Sequence, residues 1–189
     1  MNRREAIERV ALLMGGAVIG AEFFVSGCKS TNQKVDDLFD QDHVAYMDEI
    51  ADTILPTTST PGAKAAKVGS FMAVMVKDCY TPEDQKTFME GLNKINDASK
   101  SKYGKKFLEA DPKQRTELLT ALDKEQKDYS KTQKPDQPNH YFRMMKELTL
   151  LGYFTSEIGC TKALRYVPVP GRYDGCIPYK KGDKAWALS

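Results

Sequence analysis

Residues 42–79 read DHVAYMDEIADTILPTTSTPGAKAAKVGSFMAVMVKDC, and this stretch predicts two amphipathic helices joined by a short loop. The first helix spans residues 42–55, where apolar side chains recur on one helical face, namely Val44, Met47, Ile50, Ala51 and Ile54. Asp42 is placed to cap its start, and Pro56 follows its end. The second helix, Ala65–Cys79, repeats the apolar spacing after the loop TTSTPGA.

Three further helices are predicted downstream from start and stop signals. Thr81 as N-cap and Pro82 at the first helical position begin one of them, which breaks at Gly104. The pair Asp111-Pro112 begins the next helix. The last covers Asn139–Ile158 and stops before Gly159, which favours a left-handed cap. The predicted buried stripe of the first is Phe88, Leu92 and Ile95. The apolar residues of the other two are Leu118, Leu119 and Leu122, and Phe142, Met145, Leu148, Leu151 and Phe154.

The predicted fold is all-α, a small bundle of about five helices within a domain of residues 41–189. Each helix is too short to be stable alone, so the five must pack together. The polar segment Tyr129–Pro138 predicts a linker before the last helix. From about residue 160 the Pro and Gly content rises, which predicts a long irregular C-terminal tail that packs on the domain or on a partner.

Length and composition bound the possible functions. The chain has 189 residues, of which 41% are hydrophobic and 29% charged, as in an ordinary globular protein. This length fits one domain with appendages. The formal net charge is only +2, which disfavours a nucleic-acid partner because proteins of that class carry a strongly basic face.

The first 27 residues predict an export signal. The pair Arg3-Arg4 precedes a weakly apolar stretch, Val10–Ala21, as in twin-arginine signals, whose route exports proteins that are already folded. A helix over that stretch would cover about 18 Å, short of the roughly 30 Å hydrocarbon core. The segment is therefore predicted to be a cleavable signal rather than a spanning helix.

A lipid anchor is predicted where this signal ends. Residues 25–28 read VSGC and resemble a bacterial lipobox, in which Cys28 takes the lipid and becomes the new N-terminus. More than one acyl chain gives stable membrane anchoring. Residues 28–40 are then a polar tether. The protein is expected at the bacterial cell envelope, facing the periplasm, with the choice of inner or outer membrane open.

The sequence carries no signature of catalysis or of cofactor binding. It lacks a Gly-rich nucleotide motif, a P-loop, a haem-attachment motif and a Cys-x-x-Cys pair. We therefore predict no catalytic residue, no metal ligand and no cofactor in this chain. The two histidines, His43 and His140, are predicted near helix starts.

Three cysteines remain besides Cys28, and an oxidising compartment favours one disulfide bond among them. Three pairings are possible, and the sequence does not choose between them. Cys79–Cys176 is favoured because this bond would pin the tail to the bundle, and Cys160 is the alternative partner. The remaining possibility leaves all three cysteines reduced and buried.

Two segments resemble one protein family. Ile50–Val76, with its LPTTSTPGA loop, and Leu148–Tyr179, with GYFTSE and PGRYDGC, are similar to the signatures of the gluconate 2-dehydrogenase subunit 3 family. The resemblance implies a small subunit without a redox centre. Its partner would be a large FAD-binding dehydrogenase of the glucose-methanol-choline type that oxidises gluconate, glucose or a polyol, often with a cytochrome c subunit. The resemblance also implies that the small subunit carries its folded partner through the twin-arginine pore.

The predicted function is therefore interaction, by a non-catalytic subunit that exports, assembles and membrane-tethers a flavoprotein. The tail aromatics Tyr166, Tyr173, Tyr179 and Trp186 are the predicted partner anchors, since Tyr and Trp are enriched at interface hot spots. Self-packing of the tail is the alternative explanation of these aromatics. The alternative functions are a free-standing binding or structural lipoprotein of the bacterial envelope and, third, an enzyme in its own right.

Overall fold

Helices dominate the part of the chain that the structure describes. The structure is a computed structural model, and it describes residues 38–134, 137–169, 171–172 and 175–187. Its α-helices there are α1 (Gln41–Ile54), α2 (Val68–Cys79), α3 (Pro82–Tyr103), α4 (Pro112–Thr132) and α5 (Tyr141–Thr155). A short 3-10 helix, Phe107–Glu109, precedes α4, and a π-helical turn, Gly159–Ala163, follows α5. The predicted all-α bundle is confirmed.

The helix starts follow the capping chemistry of the sequence. At α3 the Thr81 side chain accepts the Asp84 N–H at 3.2 Å, and the helix ends at Gly104 with a φ of 70°. Both features were predicted. At α1 the predicted cap was wrong by two residues, because Asp40, not Asp42, accepts the His43 N–H, at 2.7 Å.

Helix α4 is longer than the sequence predicted. The predicted linker began at Tyr129, whereas the helix continues to Thr132. The Ser130 hydroxyl donates to the Gln126 carbonyl at 2.8 Å inside this extension. The reason is local, since no Gly or Pro follows the helix start until Pro135, and polar side chains alone do not end a helix.

The core lies between all five helices, with α5 at its centre. Helix α5 packs against each of the other four. Its apolar side chains meet those of the other helices in one cluster, whose fully buried members include Met47, Ile50, Met72, Phe88, Leu92, Ile95, Phe107, Phe142 and Met145. Burial of each such side chain contributes roughly 1.5–3 kcal/mol to folding.

The chain turns irregular after α5. A left-handed cap was predicted at Gly159, but this residue instead begins the π-helical turn, so that prediction was wrong. From Leu164 onward the described residues form neither helix nor strand, and a single isolated β-bridge pairs Arg165 with Trp186. This agrees with the predicted irregular tail. Among the described residues, no helix has both the length and the apolar character needed to cross a membrane.

Candidate interaction surface

The loop between α1 and α2 is the scaffold that positions the surface described below. Its Thr57 hydroxyl accepts the Gly62 N–H at 3.0 Å, and the Ala63 N–H donates to the Leu55 carbonyl at 2.9 Å. From α5, the Tyr153 hydroxyl donates to the Pro61 carbonyl at 2.6 Å. The LPTTSTPGA signature thus fixes the angle between α1 and α2 and holds the end of α5 against both.

A carboxylate on α1 caps the start of α2. Asp48 Oδ1 accepts the Gly69 N–H at 2.7 Å, so it satisfies one of the amide groups that a helix start leaves free. Burial raises the pKa of Asp48, and the hydrogen bond from Gly69 opposes that rise. A Cβ at Gly69 would lie 2.5 Å from the Val44 carbonyl oxygen, so only glycine allows the two helices to come this close.

An ion-pair network joins α1 to α4. Glu49 pairs with Lys64 and with Arg115, whose Nη1 lies 2.6 Å from Glu49 Oε2. The same guanidinium donates to the Leu108 carbonyl at 2.6 Å and to the Ala110 carbonyl at 3.0 Å. Hydrogen bonds from Lys64, opposed by burial and helped by Arg115, hold the pKa of Glu49 below its usual value. The side chains are engaged with one another, which is the pattern of a structural network.

A second network joins α4 to α5. The Asp123 carboxylate lies 2.5 Å from Lys146 Nζ of α5 and 2.7 Å from Lys127 Nζ. Burial would raise the pKa of Asp123, but hydrogen bonds from Lys127 and Lys146 outweigh it and lower the pKa to about 2. Asp123 is therefore ionised at neutral pH and holds α5 in position.

Exposed apolar side chains are concentrated at the C-terminal end of the described chain. Of the eleven exposed large hydrophobic residues in the described part of the chain, nine lie between residues 150 and 186: Leu150, Leu151, Phe154, Tyr166, Val167, Val169, Ile177, Tyr179 and Trp186. The other two are Val74 and Leu108. Exposed apolar side chains grouped in one segment are typical of an interaction surface, whereas scattered ones are not.

The first part of this surface is the α5 patch, defined as Leu150, Leu151 and Phe154. Leu151 and Phe154 continue the apolar spacing of the helix, yet their side chains are 46% and 38% exposed. A spacing of three residues drifts about 60° per step around a helix of 3.6 residues per turn. The stripe that begins at Phe142 has therefore left the core by Leu151, and Thr149, Gly152 and Tyr153 take the buried side.

The second part of the surface is the tail after α5. Two of its residues, Arg165 and Trp186, contact each other and are called the clasp. The Arg165 N–H donates to the Ala185 carbonyl at 2.8 Å, and the Ala187 N–H donates to the Arg165 carbonyl at 2.9 Å. The Arg165 guanidinium lies 4.7 Å from the centre of the Trp186 ring, a cation–π contact. The Lys184 ammonium group also donates to the Lys162 carbonyl. The clasp returns the end of the chain to the end of the bundle.

Between these points lies the tail turn, defined as residues 177–183. The Asp183 N–H donates to the Lys180 carbonyl at 3.0 Å, and an Asp183 carboxylate oxygen accepts the Lys180 N–H at 2.9 Å. Gly182 adopts a φ of 98°, which is strained for any side chain. Tyr179 is 77% exposed beside this turn, and Lys180 and Lys181 are exposed on it.

The tail also carries the positive charge of the domain. Residues 41–163 hold eighteen Lys or Arg and eighteen Asp or Glu, whereas residues 164–189 hold five Lys or Arg and two Asp. The bundle is therefore neutral, and the tail has a net charge of +3. Lys180 and Lys181 make no ion pair with any residue that the structure describes.

The predicted anchors have different surroundings in the structure. Tyr166 and Trp186 are each 44% exposed, and Tyr179 is 77% exposed, so these three side chains are accessible. Trp186 also packs within the tail, on Arg165. Tyr173 lies outside the described residues, as do the signal residues Arg3 and Arg4 and the lipidation residue Cys28. The sequence did not predict the α5 patch, because its only signal there is the drift of the apolar stripe around the helix.

The three cysteines other than Cys28 carry free thiols in the structure. Cys79 and Cys176 are exposed, and Cys160 is partly exposed. The Cys160 Sγ contacts the Phe154 carbonyl oxygen at 3.2 Å. The alternative in which all three are buried is wrong, and the Cys79–Cys176 bond, with Cys160 as its alternative partner, stays a prediction for the oxidising compartment.

The described side chains form no group suited to a metal ion. His140, predicted near a helix start, is the N-cap of α5, where its Nδ1 accepts the Phe142 N–H at 3.2 Å. His43 lies in the first turn of α1. Both histidines are thus accounted for by helix starts, as the sequence predicted.

Fold and surface together define a small all-α protein whose described part presents an exposed apolar and basic C-terminal segment. A family model described as Gluconate 2-dehydrogenase subunit 3 matches residues 41–171. This match covers well over half of the chain, and the chain belongs to that family. The resemblance found in the two signatures is confirmed. A comparison with curated proteins gave no match, and neither did a comparison with solved structures.

Proposed function

We propose that this chain is a non-catalytic subunit that exports, assembles and membrane-tethers a flavoprotein dehydrogenase. The family is one of gluconate 2-dehydrogenase subunits, which supports a place in a multi-subunit dehydrogenase complex. The large partner would be of the glucose-methanol-choline type and would hold the FAD, with a cytochrome c subunit as a further member. Its substrate would be gluconate, glucose or a polyol.

The observation that carries this proposal is the concentration of exposed apolar side chains between residues 150 and 186. The side chains of the two half-buried networks on α1, α4 and α5 pair with one another between helices, which supports a role in holding the bundle together. A stable partner interface buries roughly 2,000 Å² or more. The α5 patch and the tail together supply apolar and aromatic side chains for the core of such an interface.

Export and tethering rest on the N-terminal sequence. Arg3 and Arg4 would direct the folded complex through the twin-arginine route, and Cys28 would carry the lipid that holds it at the envelope. A route for folded cargo suits a chain that accompanies a flavin-loaded partner. The mature complex would face the periplasm.

The test is purification of the full-length chain, with a C-terminal tag, from membranes of its native host. We expect the eluate to show flavin absorbance and to contain a dehydrogenase large subunit identified by mass spectrometry. Changing Arg3→Lys and Arg4→Lys together should leave that flavoprotein in the cytoplasm. Changing Cys28→Ala should still allow export but release the complex from the membrane.

The free-standing lipoprotein makes the opposite prediction. The chain would then purify from membranes without flavin and without a large subunit. Sugar oxidation by the isolated chain would support the third alternative, an enzyme in its own right. Either result would overturn the accessory-subunit proposal.

A further inference from the structure

The tail turn, residues 177–183, combines three properties that suit a docking element, and it presents Tyr179, the most exposed aromatic side chain of the described part. It exposes apolar side chains, since Ile177 is 47% and Tyr179 is 77% exposed. It carries two adjacent cations, Lys180 and Lys181, without an ion pair among the described residues. Its backbone is closed by the two Lys180–Asp183 hydrogen bonds.

The turn is also preformed. The clasp of Arg165 and Trp186 anchors the chain just beyond the turn to the end of the bundle. The Lys184 ammonium group adds a bond to the Lys162 carbonyl. A preformed element loses less conformational entropy on binding, because its backbone is already ordered.

We propose that the tail turn docks on an acidic surface of the flavoprotein subunit, with Tyr179 entering an apolar recess and Lys180 and Lys181 facing carboxylates at its rim. This inference rests on the proposed function and adds the chemistry of the partner's surface. The charge asymmetry supports it, because the bundle is neutral and the positive charge is gathered in the tail. Complementary charges steer association and select partners.

An anionic lipid surface is the competing occupant, and the turn fits it less well. Lipid-binding polybasic segments carry clusters of about 4–8 Lys or Arg, or lie on an amphipathic helix. The tail turn has two adjacent Lys, an acidic residue three positions after the first, and no helix. An exposed Tyr on a rigid turn is instead typical of a protein interface.

The test reverses the charge of the turn in the full-length, C-terminally tagged chain expressed in its native host. The variant carries Lys180→Glu and Lys181→Glu. The matched control carries Lys105→Glu and Lys113→Glu, which change the net charge equally at exposed positions outside the tail. Captured large subunit is quantified by flavin absorbance and mass spectrometry during washes of rising salt.

We expect the Lys180/Lys181 variant to retain about tenfold less flavoprotein than the wild type, because two attractive contacts become repulsive. The control should retain it fully, and the wild-type complex should weaken as salt screens the contacts. A neutral variant, Lys180→Gln with Lys181→Gln, should fall between. Thermal unfolding of each variant checks that the bundle remains folded.

Three results would overturn the inference. Equal capture by the charge-reversed variant and its control would refute the docking role of the turn while leaving the accessory-subunit proposal intact. Binding of the wild type, but not the charge-reversed variant, to phosphatidylglycerol vesicles with flavoprotein capture unchanged would assign the turn to lipid. A wild type that captures no flavoprotein would refute the proposed function and this inference with it.

Discussion

Asp123 shows how one side chain holds two helices of the bundle together. Its carboxylate is only 20% exposed and receives Lys146 from α5 and Lys127 from its own helix. The ion pairs of a half-buried carboxylate contribute more to stability than a surface ion pair does, because fewer water molecules screen them. Removing it leaves both ammonium groups without their acceptor.

Asp123→Asn should therefore destabilise the protein at neutral pH, by about 1 kcal/mol. The pKa of Asp123 falls from an ordinary 3.8 to about 2 on folding, so folding favours the ionised form. This stabilisation is fully present above 3.8 and is lost as the pH falls through about 2. Urea unfolding of the wild type and variant at a series of pH values should show the two free energies of unfolding converging in acid.

The control for this experiment is Asp78→Asn. Asp78 is exposed on α2 and makes no ion pair with the described residues. The difference in the free energy of unfolding between the Asp78→Asn protein and the wild type should not depend on pH. A constant gap between the Asp123→Asn protein and the wild type at all pH values would contradict the ion-pair explanation.

At the scale of the element, the boundaries of α3 and the start of α4 could be predicted from local capping residues, and the end of α5 could not. Thr81 and the Asp-Pro pair at residue 111 act locally, through hydrogen bonds to amides within the next three residues, and the sequence alone contains them. The end of α5 depends instead on how closely the chain folds back onto the helix after Ser156. A Cβ at Gly159 would lie 1.9 Å from the Tyr153 carbonyl oxygen, so the chain needs glycine there for a close approach, not for a left-handed φ.

The α1–α2 loop gives a testable case of tertiary contact at the same scale. Tyr153→Phe removes the hydroxyl that donates to the Pro61 carbonyl at 2.6 Å and keeps the ring. We expect a loss of about 1 kcal/mol in the free energy of unfolding, the usual contribution of one such hydrogen bond. Tyr179→Phe is the matched control, because Tyr179 is 77% exposed. Equal stability of the two variants would show that the Tyr153 bond contributes nothing.

At the scale of the whole molecule, the sequence predicted the class of fold and the irregular tail better than it predicted the extent of the exposed apolar surface. The change in Pro and Gly content at about residue 160 was visible without a structure. Tyr166, Tyr179 and Trp186 are exposed, and their role as partner anchors stays a prediction. The α5 patch could not be predicted from the sequence, because Leu151 and Phe154 continue the apolar spacing of the helix. Only the packing of Gly152 and Tyr153 decides which residues of α5 face the core.

The α5 patch leads to a prediction about assembly. Leu151→Asp should abolish capture of the flavoprotein by the full-length chain, because a charge in the apolar centre of an interface is buried without a partner. It should leave thermal unfolding nearly unchanged, since the side chain is already 46% exposed. Leu108→Asp places the same charge on a side chain that is 45% exposed, outside the C-terminal segment. If the surface between residues 150 and 186 is the interface, flavin absorbance after purification separates these two variants. If Leu108→Asp loses the partner and Leu151→Asp keeps it, the interface includes the 3-10 helix at Leu108, and the tail packs only on its own chain.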